Sequence, residues 1–172
     1  MPNWCHNFAT FTCPTKDIYD KFLLSLQENN WFEKFASLDL DEETYENGWE
    51  YCKAIEIWGT KWVPCELEIL SGNEDTLSIE VSFSTAWSPP TGVYKKMNKD
   101  FNITTTAFYD ELGCEFFGRC FYSNEEEVDD TYDIPSDLDE LNELRKKIGK
   151  ELDEYMESTW EQLEEDWEND DD

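Results

Sequence analysis

An α+β domain carrying an acidic helical arm is the fold this sequence predicts. Three observations predict it: two alternating apolar/polar segments flanking a turn, apolar residues at helical spacing before and after them, and a concentration of negative charge toward the end of the chain. The formal net charge is -29. Residues 124–172 hold 22 acidic and 4 basic side chains, against 20 and 9 in residues 1–123. The chain of 172 residues suits one domain with an appendage. We therefore divide it into a domain over 1–123 and an acidic linker with a C-terminal helical arm over 124–172.

The elements follow in order. Phe8 to Thr12 reads as a strand ended at Cys13-Pro14, after which Thr15 can cap a helix with Ile18, Phe22, Leu23 and Leu26 on one face, running to about Asn29. Trp31, Phe32 and Phe35 can continue a helical turn, Asp39 to Asn47 is an acidic loop, and Glu50 to Trp58 is read as a short strand. Cys65, Leu67 and Ile69 alternate with Glu66 and Glu68, and Leu77, Ile79, Val81 and Phe83 with Ser78, Glu80, Ser82 and Ser84. Ser71-Gly72-Asn73-Glu74 reads as the hairpin turn between them. Pro90 suits a helix start, with Val93, Met97 and Phe101 along one side. Two aromatic strands, about Ile103 to Tyr109 and Cys114 to Tyr122, turn through Glu111-Leu112-Gly113.

Strand, helix, two strands, helix, strand is the order of a ferredoxin-like antiparallel sheet with two helices on one face, the last strand being an addition to that minimum. From Ser136 onward, Leu138, Leu141, Leu144, Ile148, Leu152, Tyr155, Thr159, Leu163 and Trp167 advance by three or four and predict one long acidic C-terminal helix of roughly 30 residues. Its single apolar stripe must meet the open sheet face, a twin helix or a partner, and docking on its own sheet ranks first. Only the end, about Glu164 to Asp172, has the composition of a frayed segment.

The composition also bounds function. Eight Trp, eight Tyr and eleven Phe supply a large apolar payload for the core. Six cysteines without a CxxC pair suit reduced, mostly buried thiols, and the absence of a leader-type N-terminus or a long apolar run predicts a cytoplasmic protein without membrane contact. His6 is the only histidine, no nucleophile elbow or phosphate-cradling glycine loop is present, and 42 carboxylates make any carboxylate pair uninformative, so we expect no enzyme and no cofactor. The spacing of His6 and the cysteines does not suit zinc, and the calcium-loop-like run from Asp129 has Ile134 where a glycine is required.

Three tryptophan segments stand out: Pro2-Asn3-Trp4-Cys5-His6-Asn7, Trp58-Gly59-Thr60-Lys61-Trp62 and Thr85-Ala86-Trp87-Ser88-Pro89-Pro90. On their own they read first as packing residues that finish strand ends and a tight turn. In this order they resemble the YubB-type ferredoxin-like family of bacteriophage and plasmid proteins, over residues 1–123. The resemblance implies the fold and a mobile-element origin, and it transfers no catalytic residue. Val63-Pro64-Cys65 after Trp62, where an acidic residue is common, and the long acidic arm depart from the family's pattern.

The acidity argues against direct nucleic-acid binding, which uses basic patches to displace counterions. It suits the reverse: a carboxylate array standing in for phosphates in the basic groove of a nuclease or nucleic-acid-binding complex of the host. Candidate contacts are Glu125, Glu126, Glu127, Asp129, Asp130, Asp133, Glu154, Glu157, Glu161 and Glu165. With the mobile-element resemblance, this predicts an inhibitor of a host defence enzyme, of anti-CRISPR or anti-restriction type. The alternative is an adaptor or homodimer built on the helix stripe at Leu141, Leu144, Ile148, Leu152 and Tyr155.

Overall fold

The computed structural model describes residues 3–40 and 51–170. Among them the chain runs β1 (Trp4–Thr12), α1 (Lys16–Gln27), α2 (Trp31–Ala36), α3 (Tyr51–Trp58), β2 (Cys65–Asn73), β3 (Ser78–Ala86), α4 (Thr91–Phe101), β4 (Thr104–Glu111), β5 (Phe116–Tyr122), β6 (Glu127–Asp133), α5 (Leu138–Arg145), α6 (Lys150–Tyr155) and α7 (Glu157–Asp170). The strands form one antiparallel sheet in the order β2-β3-β1-β4-β5-β6. Its first four strands have the ferredoxin-like arrangement, and β5 and β6 extend it beyond β4.

The side chains that alternate along β1 divide the sheet into two faces. Cys5, Asn7, Ala9 and Phe11 point into the main core, where they meet α1 to α4. That core is aromatic: Phe11 lies edge-on to Phe22 at 4.9 Å, Trp31 meets Phe32 at 4.5 Å, and Phe32 meets Trp58 at 5.2 Å. Edge-to-face pairs of this kind add about 0.5–1.5 kcal/mol each to the burial of the rings. Thr15 caps α1 by accepting from the Ile18 amide, as its sequence position predicts.

Several expectations change. Residues 51–58 form a helix rather than a strand, because Ala54 and Trp58 fall one turn apart and the Trp58 indole N–H donates to the Ala36 carbonyl at 2.7 Å. Helices α2 and α3 thus join α1 and α4 on the same face, where two helices were expected. The acidic loop expected over 39–47 lies outside the described residues from 41 onward. Ser71, Gly72 and Asn73 remain paired with β3, and the turn falls at 74–77, where the Asn73 side-chain oxygen accepts from the amides of Asp75 and Thr76.

The largest differences concern the arm. Residues 127–133, read as linker, are strand β6, paired with β5 from Tyr122↔Glu127 to Phe116↔Asp133. Their acidity hides an alternation in which Val128, Asp130 and Tyr132 are half-buried. The single long helix is three helices. Gly149 has φ +76° and ψ 155°, outside the helical region, and Met156 separates α6 from α7. Residues 164–170, expected to fray, continue α7, held by Leu163 and Trp167 against a second apolar cluster.

That second cluster occupies the opposite face of the sheet. Leu141, Ile148, Leu152, Met156 and Trp160 bury against Phe117, with Phe108, Tyr132 and Ile134 around them. The arm docks on its own sheet, over the β4–β6 half.

Candidate functional site

The ten carboxylates singled out from the sequence separate into groups. Glu125 and Glu126 form a turn on Ser123, whose Oγ accepts from both amides, at 3.3 and 3.0 Å. Glu127 pairs with Lys95 at 2.7 Å and raises the pKa of that lysine. Asp129 accepts from the Tyr122 hydroxyl at 3.1 Å, and Asp130 takes a two-pronged contact from Arg119, Nε at 3.0 Å and Nη2 at 2.9 Å. Asp133 is exposed at the end of β6, and Glu154 pairs with Lys150 at 3.2 Å. Asp129 and Asp130 project to opposite faces of the strand, a geometry that does not wrap a cation. Glu157, Glu161 and Glu165 stand exposed along α7. Among the described residues no salt bridge involves a carboxylate of α7.

The five stripe residues face the sheet. Leu141, Ile148 and Leu152 are buried, while Leu144 and Tyr155 pack half-buried beside them. Tyr155 stacks on Phe108 at 5.6 Å and donates to Asp110 Oδ1 at 2.6 Å, and burial drives its pKa upward. The surface offered to an adaptor partner or a twin helix is therefore occupied by the chain itself. Met156 and Trp160 were missed because the breaks shift the phase of the stripe. The Trp160 indole stands edge-on to Phe117 at 5.2 Å and donates to Asp153 Oδ1 at 3.0 Å. Asp153 also pairs with Arg145, so one carboxylate joins all three helices.

The three tryptophan segments converge at one end of the sheet. Asn7 Nδ2 donates to the Cys5 carbonyl and to Thr85 Oγ1, both at 2.9 Å, and Thr85 Oγ1 donates to the Ser88 carbonyl at 2.8 Å. Thr60 Oγ1 reaches the Ala86 carbonyl at 2.8 Å, and Ser88 Oγ the Gly59 carbonyl at 2.6 Å. Gly59 sits at φ +80°, where a side chain would be strained, and the Trp87 amide donates to the Asn3 carbonyl at 3.0 Å. Trp58 is buried, in keeping with the packing reading. Trp4 and Trp87 are not: they are 38% and 49% exposed. Trp4 lies 6.3 Å from Trp62, and the Lys61 ammonium sits 4.6 Å from the centre of the Trp62 ring.

Beside this end runs a polar row on the sheet face that the arm leaves open. Ser84 Oγ donates to Glu66 Oε2 at 3.2 Å and lies 3.3 Å from His6 Nδ1, while His6 is the cross-strand neighbour of Asp110. Ser84 is only 3% exposed and its proton is engaged by Glu66, so the contact holds three strands in register rather than presenting a nucleophile. The alternation of β1 could have placed His6 with Trp4 and Phe8; its neighbours on β2 and β3 required the sheet order.

Comparison with known proteins bears on the same elements. A family model described as the ferredoxin-like domain in Api92-like protein matches residues 66–150, from β2 to the start of α6. An uncharacterized protein YubB of Escherichia coli strain K12 is 33% identical over 87 residues, 47% of this chain. Over residues 66–150 the chain thus resembles a YubB/Api92-type ferredoxin-like domain. The alignment spans 60% of the YubB protein's length. The crystal structure of the protein api92 from Yersinia pseudotuberculosis superposes with a TM-score of 0.52, covering 80% of this chain and all of that one at 9% identity, a likeness of fold. Among the described residues no helix is long and apolar enough to cross a membrane.

Proposed function

We propose that this protein is a non-enzymatic inhibitor that occupies the basic groove of a nucleic-acid-binding defence enzyme, with the carboxylates of α7 standing where phosphates would lie. The observation that carries the reading is the charge line of that helix. Its 14 residues include seven carboxylates and no cation. At about 1.5 Å of rise per residue the helix is about 21 Å long, one negative charge per about 3 Å. A strand of duplex DNA carries one per about 3.4 Å.

The line is also held in place. Trp160, Leu163 and Trp167 pin one side of α7 to the second apolar cluster, while Glu157, Glu161 and Glu165 face outward one turn apart. A docked array loses less conformational freedom on binding than a free tail would. Of the ten carboxylates, Glu127, Asp129, Asp130 and Glu154 are already engaged within the fold, so the reading rests chiefly on α7, with Glu125, Glu126 and Asp133 at its margin. The mobile-element origin implied by the family resemblance supplies the context of anti-CRISPR or anti-restriction activity in a cytoplasmic setting.

The test is capture of partners from bacterial lysate by the tagged full chain at low and high salt, with identification by mass spectrometry. We expect a nuclease or nucleic-acid-binding complex, released by salt, displaced by duplex DNA, and lost with the Glu157→Lys/Glu161→Lys/Glu165→Lys variant. A partner indifferent to salt, to DNA and to this variant would refute the proposal.

A further inference from the structure

The arm covers only the β4–β6 half of its sheet face. Over β1, β3 and β2 the same face is open, and its side chains form rows: Phe8, Ser82 and Glu68 are cross-strand neighbours, as are Thr10 and Glu80. Trp4 and Phe8 line β1, and carboxylates stand on the outer strands. Among the described residues Glu66 and Glu80 accept hydrogen bonds from serines, and neither they nor Glu68 form a salt bridge. This is an aromatic strip bordered by unneutralised negative charge.

We propose that this open half-face is a second docking surface, for an extended basic segment of a protein partner with Arg or Lys at alternate positions. Charge selects the occupant. A second copy would bring another chain of net charge -29 and, across a two-fold axis, the same carboxylates against themselves. Nucleic acid would oppose phosphates to Glu66, Glu68 and Glu80. A basic strand satisfies them. Alternate residues of an extended chain lie about 6.8 Å apart, the repeat of Trp4, His6 and Phe8 along β1, while an irregularity of β2 between Cys65 and Glu68 carries Glu66 beside Ser84 and Glu68 beside Ser82. The aromatic strip suits guanidinium or ammonium groups, and Lys61 over Trp62 already makes such a contact at this end of the sheet. The surface goes beyond the α7 reading and does not depend on it.

The test uses the 15N-labelled full chain titrated with acetyl-Arg-Ser-Arg-Ser-Arg-amide, with acetyl-Ser-Arg-Arg-Arg-Ser-amide as the comparison of equal charge. The alternating peptide should shift the Trp4 indole peak and the amides of His6, Phe8, Ser82 and Ser84, and should bind more tightly than its isomer. Glu66→Gln/Glu68→Gln, which removes two charges while an amide oxygen at 66 can still accept from Ser84, should weaken that binding by about tenfold. Trp4→Ala should abolish the indole response. Glu157→Gln/Glu161→Gln/Glu165→Gln should leave the shifts in place, which separates this surface from the α7 groove binding. No shifts, shifts concentrated on α7 and β6, or equal response to both peptides would overturn the proposal. So would movement of the same peaks on diluting the free protein, or on adding decathymidylate, which would identify a second copy or nucleic acid as the occupant.

Discussion

Replacing Trp160 by Ala tests the docking of the arm where its consequence is largest. The side chain is 1% exposed, so nearly all of its area leaves water on folding. About 150–250 Å² at about 25 cal/mol per Å² is a gross contribution of about 4–6 kcal/mol. Alanine keeps part of that, and partial collapse of the site recovers more, which places the expected loss at about 3–5 kcal/mol. The lost N–H donor to Asp153 adds little, because that carboxylate retains Arg145 and is partly solvated. With a urea m-value of about 2 kcal/mol per M, the unfolding midpoint should fall by about 2 M. Far-UV circular dichroism during urea titration reads this directly. Trp167→Ala, half-buried near the end of α7, should cost clearly less. A loss below about 1 kcal/mol at Trp160, with the m-value unchanged, would mean that α7 does not pack on Phe117 and would remove the support for a rigid charge line.

Two further predictions follow from local geometry. Gly149→Ala should destabilise by about 1–2 kcal/mol in the same titration, because φ +76° is disfavoured for any residue with a Cβ; in one continuous helix the substitution would instead stabilise by up to about 1 kcal/mol, so the sign decides between the two. Burial pushes the Cys13 thiol up to about 12, and those of Cys5 and Cys120 upward as well. The folded chain therefore holds these protons at pH values where the unfolded chain, with thiols near 8.5, has released them. Stability should be unaffected by these groups below about pH 8 and should fall as pH rises toward 12, by up to about 1.4 kcal/mol per pH unit for each thiol. Urea midpoints measured across this range check the slope, and a thiol reagent should label exposed Cys52 well before these three. A flat profile, or simultaneous labelling, would contradict the burial on which the prediction stands.

The ferredoxin-like core was legible because its signals are local. Thr15 caps a helix by its own hydroxyl, alternation along β3 needs only a period of two, and Pro89-Pro90 stops one element before the next begins. The docking of the Leu141–Leu152 stripe on the sheet was legible too, since a one-sided helix has few places to put its apolar face. Residues 51–58 were not, because a short apolar run reads equally as strand or helix until a neighbour such as Ala36 supplies a partner for Trp58. Strand β6 was hidden by composition: Glu127, Asp129, Asp130 and Asp133 suggest a solvated linker, yet pairing with β5 satisfies one edge of its backbone while Lys95, Tyr122 and Arg119 answer three of the charges.

The same division holds for the candidate surfaces. Sequence by itself determined that this protein is strongly acidic, that the acidity concentrates after residue 123, and that a ferredoxin-like sheet with an amphipathic arm would carry it, because charge, periodicity and turn chemistry are written residue by residue. Only the tertiary structure decided which carboxylates remain unpaired, since it is the fold that brings Lys95 to Glu127, Arg119 to Asp130 and the Tyr122 hydroxyl to Asp129. Only it decided that the arm breaks at Gly149 and covers half of the sheet face. And only it brought Trp4, Phe8, Glu66, Glu68 and Glu80 onto the open half, because the strands that carry them are neighbours in the sheet and not in the chain.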